Sequence, residues 1–167
     1  EEKAKSRYDQ GEYWWELRAC SYLKEFEKPK IILPDISLQG NFTFDEAGKY
    51  YLVNSAYLIG KDDKYLLGIL ASKLVDFFYR NISSSYRGGY LRFIRQYLQE
   101  IPIAKPHKKQ KLKIETRSDQ IITAKAENPE ANTSELEAEI DQLVYELYGL
   151  SEEESDLLEI NTNLLSC

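Results

Sequence analysis

The chain has 167 residues, enough for one domain with a real core or one domain plus an appendage. Hydrophobic residues make up 43% and charged residues 30%, which excludes a disordered chain, and no apolar run approaches the ~20 residues that span a bilayer. The net charge of −6 conceals a segregation: residues 61–117 hold 13 Lys/Arg against 5 Asp/Glu, a net of +8, and residues 118–167 hold 1 Lys against 13 Asp/Glu, a net of −12. Electrostatic fields fall off over a Debye length, ~8 Å at physiological salt, so a polyanion responds to the local charge. The basic middle is a candidate docking surface, and the acidic end a candidate arm pointing away from it.

Residues 13–26 read as a helix or helical turn with Trp14, Leu17 and Tyr22 on its apolar face, ended by Pro29. Lys30-Ile31-Ile32-Leu33-Pro34 reads as a short strand whose proline places its end at an edge or turn. Asn41-Phe42-Thr43-Phe44 alternates apolar and polar, residues 45–48 make a turn, and residues 50–53 and 56–59 read as strands. Gly48 and the two strand runs that flank it argue a hairpin or meander. Residues 64–79 form the clearest helix: Leu66, Leu67, Leu70, Leu74, Val75, Phe77 and Phe78 recur at helical spacing, and Asp62 or Asp63 is placed to cap it. A polar loop covers 81–89, residues 90–97 fit strand or helix, and residues 100–103 read as extended.

After Pro106 the texture changes. Residues 111–126 look helical, Asn128-Pro129 breaks them, and a second helix starts at Thr133-Ser134-Glu135, with Ser134 and Glu137 as a capping box. Leu136, Ile140, Leu143, Val144 and Leu147 form its apolar stripe, Gly149 caps it, and residues 151–160 make a third short helix. The expected fold class is α+β: a compact mixed sheet-and-helix body over residues 1–106, then a helical tail over residues 107–167 comprising a linker helix and an acidic helical hairpin.

Catalytic chemistry is poorly supplied. The single histidine, His107, lies in the junction between Pro106 and Lys108, and Cys20 and Cys167 match neither a disulfide framework nor a metal knuckle. A reducing, cytoplasmic setting is the default reading. There is no Gly-rich phosphate cradle, so no catalytic, cofactor-binding or metal-binding residue is nominated. Pro34-Asp35 followed by Asp62-Asp63-Lys64 resembles a metal-dependent nuclease signature, but a turn after a strand and a helix cap account for the same residues. The start at Glu1-Glu2-Lys3 without any methionine reads as a piece of a longer protein.

The informative stretch is 80–95. It carries Arg80, Arg87, Arg92 and Arg95, Ser83, Ser84 and Ser85, Gly88 and Gly89, and Tyr86, Tyr90 and Phe93, with no acid. Arginine reads guanine or neutralises phosphate, serine and backbone N–H groups bind phosphate, glycine allows close approach, and aromatic rings stack. Nucleic-acid contact and an ordinary surface loop with aromatics tucked into the core both fit. Lys61 and Lys64, at the start of the long helix, are further candidates for phosphate contact.

Several motifs stand in one ordered series: Tyr13-Trp14-Trp15-Glu16-Leu17-Arg18, Lys28-Pro29-Lys30-Ile31-Ile32-Leu33-Pro34-Asp35-Ile36-Ser37, Asn54-Ser55-Ala56-Tyr57-Leu58-Ile59, and Leu66-Leu67-Gly68-Ile69-Leu70-Ala71-Ser72-Lys73-Leu74. Tyr97-Leu98-Gln99-Glu100-Ile101-Pro102-Ile103 continues it. The series resembles the TaqI-like C-terminal specificity domain, the target-recognition domain of adenine-specific DNA methyltransferases, found especially in fused type IIG restriction–modification enzymes. Residues 139–150 resemble the end of those proteins, and Ala71 departs from an asparagine common in the family. The resemblance implies a parent that transfers methyl from S-adenosylmethionine to adenine N6, and in fused enzymes also cleaves DNA. The family's Asn-Pro-Pro-Tyr motif is absent here, so this piece is expected to be non-catalytic and to hold no cofactor. The implied partners are double-stranded DNA and the parent's methyltransferase domain, with no membrane; the oligomeric state is not legible. A protein-interaction module working through the acidic tail is the rival.

Overall fold

A computed structural model of the chain describes residues 5–6, 10–16, 22–85 and 87–164, with 87, 163 and 164 described by backbone alone. The readings placed on Leu17, Cys20, Tyr86 and Cys167 fall outside the described residues. Within them lie the strands β1 (Lys30–Pro34), β2 (Ile36–Ser37), β3 (Thr43–Asp45), β4 (Ala56–Ile59) and β5 (Leu91–Arg92). The helices are α1 (Lys64–Ala71), α2 (Lys73–Ile82), α3 (Arg95–Leu98), α4 (Lys108–Glu127), α5 (Ser134–Tyr148) and α6 (Glu152–Leu164). The fold is α+β, as the sequence pattern implies.

β1 is the centre of a three-stranded antiparallel sheet, with Ile31 opposite Phe44 of β3 on one side and Ile59 of β4 on the other. Strand alternation turns Ile31 and Leu33 fully inward. The hairpin or meander expected around Gly48 does not form: no strand follows the turn at 50–53, and β3 and β4 each pair with β1 instead. Asp45 supplies the reason. Its carboxylate accepts the backbone N–H of Lys49 at 3.1 Å and of Tyr50 at 3.0 Å, so donors that a returning strand would offer are already occupied. The same carboxylate forms a buried ion pair with Lys30, whose ammonium also donates to the Phe26 carbonyl at 2.5 Å. Residues 50–53 accordingly are not a strand. Gly48 (φ 61°) lets this turn lie against the chain before β1: an added Cβ would sit 2.1 Å from the Glu27 carbonyl oxygen.

The single helix expected over 64–79 is two. Ser72 (ψ 152°) is extended, and its hydroxyl donates to the Ile69 carbonyl at 2.7 Å while accepting the Val75 N–H, closing α1 and capping α2. Asp63, of the two candidates, caps α1 by accepting the Leu66 N–H at 3.1 Å. Residues 90–97 turn out to be both alternatives in succession, β5 and then α3. At α5 the cap is Thr133 rather than Ser134: its hydroxyl donates to Glu137 at 2.6 Å. Gly149 closes that helix in the left-handed conformation, as expected. Of the helix expected over 13–26, the described residues keep bends at 12–16 and a 3-10 turn at Leu23–Glu27.

One core joins the body to the tail. Ile31, Leu33, Ile69, Val75, Tyr79 and Phe93 are buried together with Ile114 of α4 and Ile140 and Val144 of α5. The composition break at Pro106 is therefore not a break in packing. Gly68 of α1 permits the closest approach, since a Cβ there would lie 2.6 Å from Ile114 and 2.8 Å from the Ser118 hydroxyl. The acidic end is not an arm pointing away. The Lys73 N–H donates to Asp141 at 2.8 Å and the Lys73 ammonium to Glu159 at 2.6 Å, tying α5 and α6 to the start of α2.

Candidate nucleic-acid interface

β2 and β5 pair antiparallel, with Ser37 opposite Leu91. The chain therefore leaves β2 and enters β5 at the same end of this small sheet, and the 38–42 loop emerges beside the 83–90 segment. Alternation along β5 sends Leu91 and, beyond it, Phe93 into the core and leaves Arg92 half-exposed. Phe93 stacks on Tyr79 at 4.7 Å and meets Phe42 edge-on at 6.0 Å. The Tyr79 hydroxyl, its pKa pushed up to about 12 by burial, donates to the Arg92 carbonyl at 2.8 Å, and the Phe93 N–H donates to the Asp35 carbonyl at 2.7 Å. Of the aromatic residues that sequence allowed as stacking rings, Phe93 is core and Tyr90 is exposed.

Between these anchors the segment is open. Ser84 and Ser85 are exposed and Ser85 bridges Leu91, but the Ser83 hydroxyl, expected to contact DNA, is buried without a partner and is not presented at the surface. Arg87, Gly88 and Gly89 form a 3-10 turn, with φ of 80° and 79° at the two glycines. Nothing stands within 4 Å of a Cβ built on Gly89, so the turn faces open space.

The cations divide by their partners. Arg80 donates to Asp76 at 2.6 Å and to the Leu38 carbonyl at 2.6 Å, and Asp76 in turn accepts the Gly40 N–H at 3.3 Å. Arg92 pairs with Asp35 at 3.4 Å. Arg95, at the start of α3, is exposed. Lys64 is engaged elsewhere: it pairs with Asp119 at 2.5 Å and Glu46 at 3.0 Å, and the Asp119 hydrogen bond leads in raising its pKa. The register separates Lys61 and Lys64 from the loop pair, because β4 meets β1 with Ile59 opposite Ile31 and Ala56 opposite Pro34. Lys61, Asp62, Asp63 and Lys64 thus follow the far end of the sheet, about 13 Å along β1 from Asp35. The same separation keeps the nuclease-like carboxylates apart, and no cluster of three or more metal-ligating side chains occurs among the described residues.

Sequence reasoning passed over the 38–42 loop, which carries no charge. Its signal is Gln39-Gly40-Asn41, turn-forming residues between strand runs. Behind the loop lies a groove of about 720 Å³ walled on its far side by α4, α5 and α6, with Lys73, Asp76, Arg80, Lys125, Glu137 and Asp141 on its lining. Its mixed charge favours no ligand of one sign.

Residues 1–103 match the TaqI-like C-terminal specificity domain. The chain is also similar to the type II methyltransferase M.XhoI of Xanthomonas vasicola, 29% identical over 150 residues, which is 88% of this chain and 25% of that protein. To the type II methyltransferase M.PaeR7I of Pseudomonas aeruginosa it is 31% identical over 134 residues, 78% of this chain and 21% of that protein. The chain spans about a quarter or less of the length of the curated relatives it matches.

Proposed function

The chain belongs to the TaqI-like C-terminal specificity domain family, and from that premise we propose that it is the DNA-recognition part of a type II adenine methyltransferase, gripping duplex DNA while a separate catalytic domain acts on a flipped adenine. The observation that carries this reading is the pairing of β2 with β5, which sets two loops side by side on an anchored base, with Arg92 beside them and Arg95 just beyond. Arg87, in the open turn with Gly88 and Gly89, reads a guanine edge, and Ser84 and Ser85 contact phosphate. Arg92 and Arg95 neutralise phosphates. Arg80, held between Asp76 and the Leu38 carbonyl, braces the loop. S-adenosylmethionine belongs to the catalytic domain in this reading, cleavage in a fused type IIG parent would belong to a further domain, and no step is assigned to either here. The rival, a tail that recruits other proteins, would have to work through Leu112, Leu157 and Ile160, which stay exposed, because α5 and α6 turn Val144, Tyr145 and Leu158 inward.

Binding to cognate and single-mismatch duplexes across a salt series tests the assignment. Arg87→Ala should relax preference at one base pair at a cost of ~1–3 kcal/mol, whereas Arg92→Ala and Arg95→Ala should weaken all sequences alike and each lower the salt slope by about one. Unchanged affinity, slope and discrimination in all three variants would remove the 83–95 segment from the interface.

A further inference from the structure

The 38–42 loop is unusually well held for an exposed turn. The Asn41 N–H donates to the Gln39 carbonyl and the Phe42 N–H to the Gly40 carbonyl, each at 2.8 Å, so two successive three-residue turns close on each other. α2 fixes both sides: Arg80 donates to the Leu38 carbonyl at 2.6 Å, and Asp76 accepts the Gly40 N–H at 3.3 Å. Gly40 lies over the Phe42 ring, where an added Cβ would come within 2.5 Å of a ring carbon. The backbone is pinned, yet the side chains of Gln39 and Asn41 remain exposed.

Those two amides are linked in a relay. The buried Ser37 hydroxyl accepts from Asn41 Nδ2 at 2.7 Å, and Asn41 Oδ1 accepts from Gln39 Nε2 at 3.4 Å. The relay uses one of the two Gln39 N–H groups. A carbonyl oxygen and one N–H stay available at the end of the side chain. That pair is complementary to the N6 donor and N7 acceptor of adenine in the major groove, where glutamine binds in bidentate fashion. Because the loop is already ordered, little conformational freedom is lost when it docks.

We infer that Gln39 is a specificity-determining residue that reads an adenine edge, with Asn41 as the positioning residue that sets its amide orientation. The 38–42 loop is then a second base-reading element beside the arginine-bearing segment. This rests on the DNA-recognition reading above, and it assigns adenine to the neutral loop and guanine to the basic one.

The test is selection of bound sequences from a randomised duplex library by the 167-residue chain and its variants. Gln39→Ala should lose preference at one A·T position by about tenfold to a hundredfold, with non-specific affinity and salt slope unchanged. Gln39→Glu, which can only accept, should move that position from adenine towards cytosine, whose N4 donates. Asn41→Ala should blur the same position, and Asn41→Asp, which still accepts from Gln39, should restore it. A wild-type chain that selects a sequence while Gln39→Ala and Gln39→Glu keep the same profile overturns the inference and leaves the DNA-recognition reading standing. A wild-type chain that selects no duplex sequence overturns both.

Discussion

Asp45, at the end of the sheet, and Asp141, where α5 meets α2, are almost equally hidden, at 4% and 5% exposed. Their charge states nevertheless diverge. Burial pushes both carboxyls up, but around Asp45 the Lys30 ammonium and the N–H groups of Tyr50 and Lys49 outweigh it and hold the group below the usual carboxylate range. At Asp141 burial wins and the carboxyl rises to about 6, because one N–H and the more distant Lys73 ammonium, 3.7 Å away, are opposed by Glu159 and Glu137. Depth and donors act together: Asp45 is covered near the edge of the protein and has close donors, whereas Asp141 lies deeper among the helices and has fewer. The sheet end is a saturated electrostatic lock; the helix junction is left partly unsatisfied.

The most drastic way to break this comparison deletes one side of it. Ending the chain after Pro106 removes Ile114, Ile140 and Val144 from the common core, so thermal unfolding of the shortened chain should lose its cooperative transition. A sharp calorimetric transition from residues 1–106 would show that the body is self-sufficient. Next in size is Asp45→Ala. It leaves the ammonium of Lys30, 0% exposed, without its counter-ion and should cost about 3–5 kcal/mol in urea unfolding.

The third effect is the pH dependence of Asp141. Between 3.8 and about 6 the folded chain keeps a proton that the unfolded chain has released, so this group makes stability fall as pH rises through that window. Its full cost, about 3 kcal/mol, is present above pH 6 and absent below 3.8. Asp45 has the opposite sign: its contribution is complete above 3.8 and is lost as pH drops through its lowered folded value. Urea midpoints should therefore rise from pH 7 to pH 5 and fall in stronger acid. Asp141→Asn, which keeps an acceptor for the Lys73 N–H, should flatten the first slope and be the more stable protein at pH 7. A wild-type slope retained in that variant would assign it to another group.

The α+β class, the strand at β1, the four-residue strand β4 and the helices α4 and α5 were legible because each depends on local pattern: β-branched alternation, helical spacing, an Asn-Pro break and a C-terminal glycine. The split at Ser72 was not, since Leu70, Leu74 and Val75 keep helical spacing across it and only a hydroxyl marks the boundary. Nor was the strand order, which Asp45 decides by binding backbone groups four and five residues on. At the interface, composition found the arginines and glycines of 83–95 but could not sort them. Lys64 is engaged by Asp119, 55 residues away, and Arg80 by a carbonyl 42 residues before it. The 38–42 loop escaped notice because an interface was sought by charge, and Gln39 and Asn41 have none.

The close seam at Gly68 also has a consequence for synthesis. α1 leaves the ribosome well before the helices that cover it, and at translation speeds of about 5–20 residues per second the interval from Ile69 to Val144 lasts roughly 4 to 15 s. Until it ends, the core that contains Leu67, Ile69 and Leu70 lacks the contribution of α5, Ile140 and Val144. Helix and hairpin formation take about 0.1–10 μs, far less than this interval, so the segment already made waits with one apolar flank bare. The common core closes only when Ile140 and Val144 of α5 arrive.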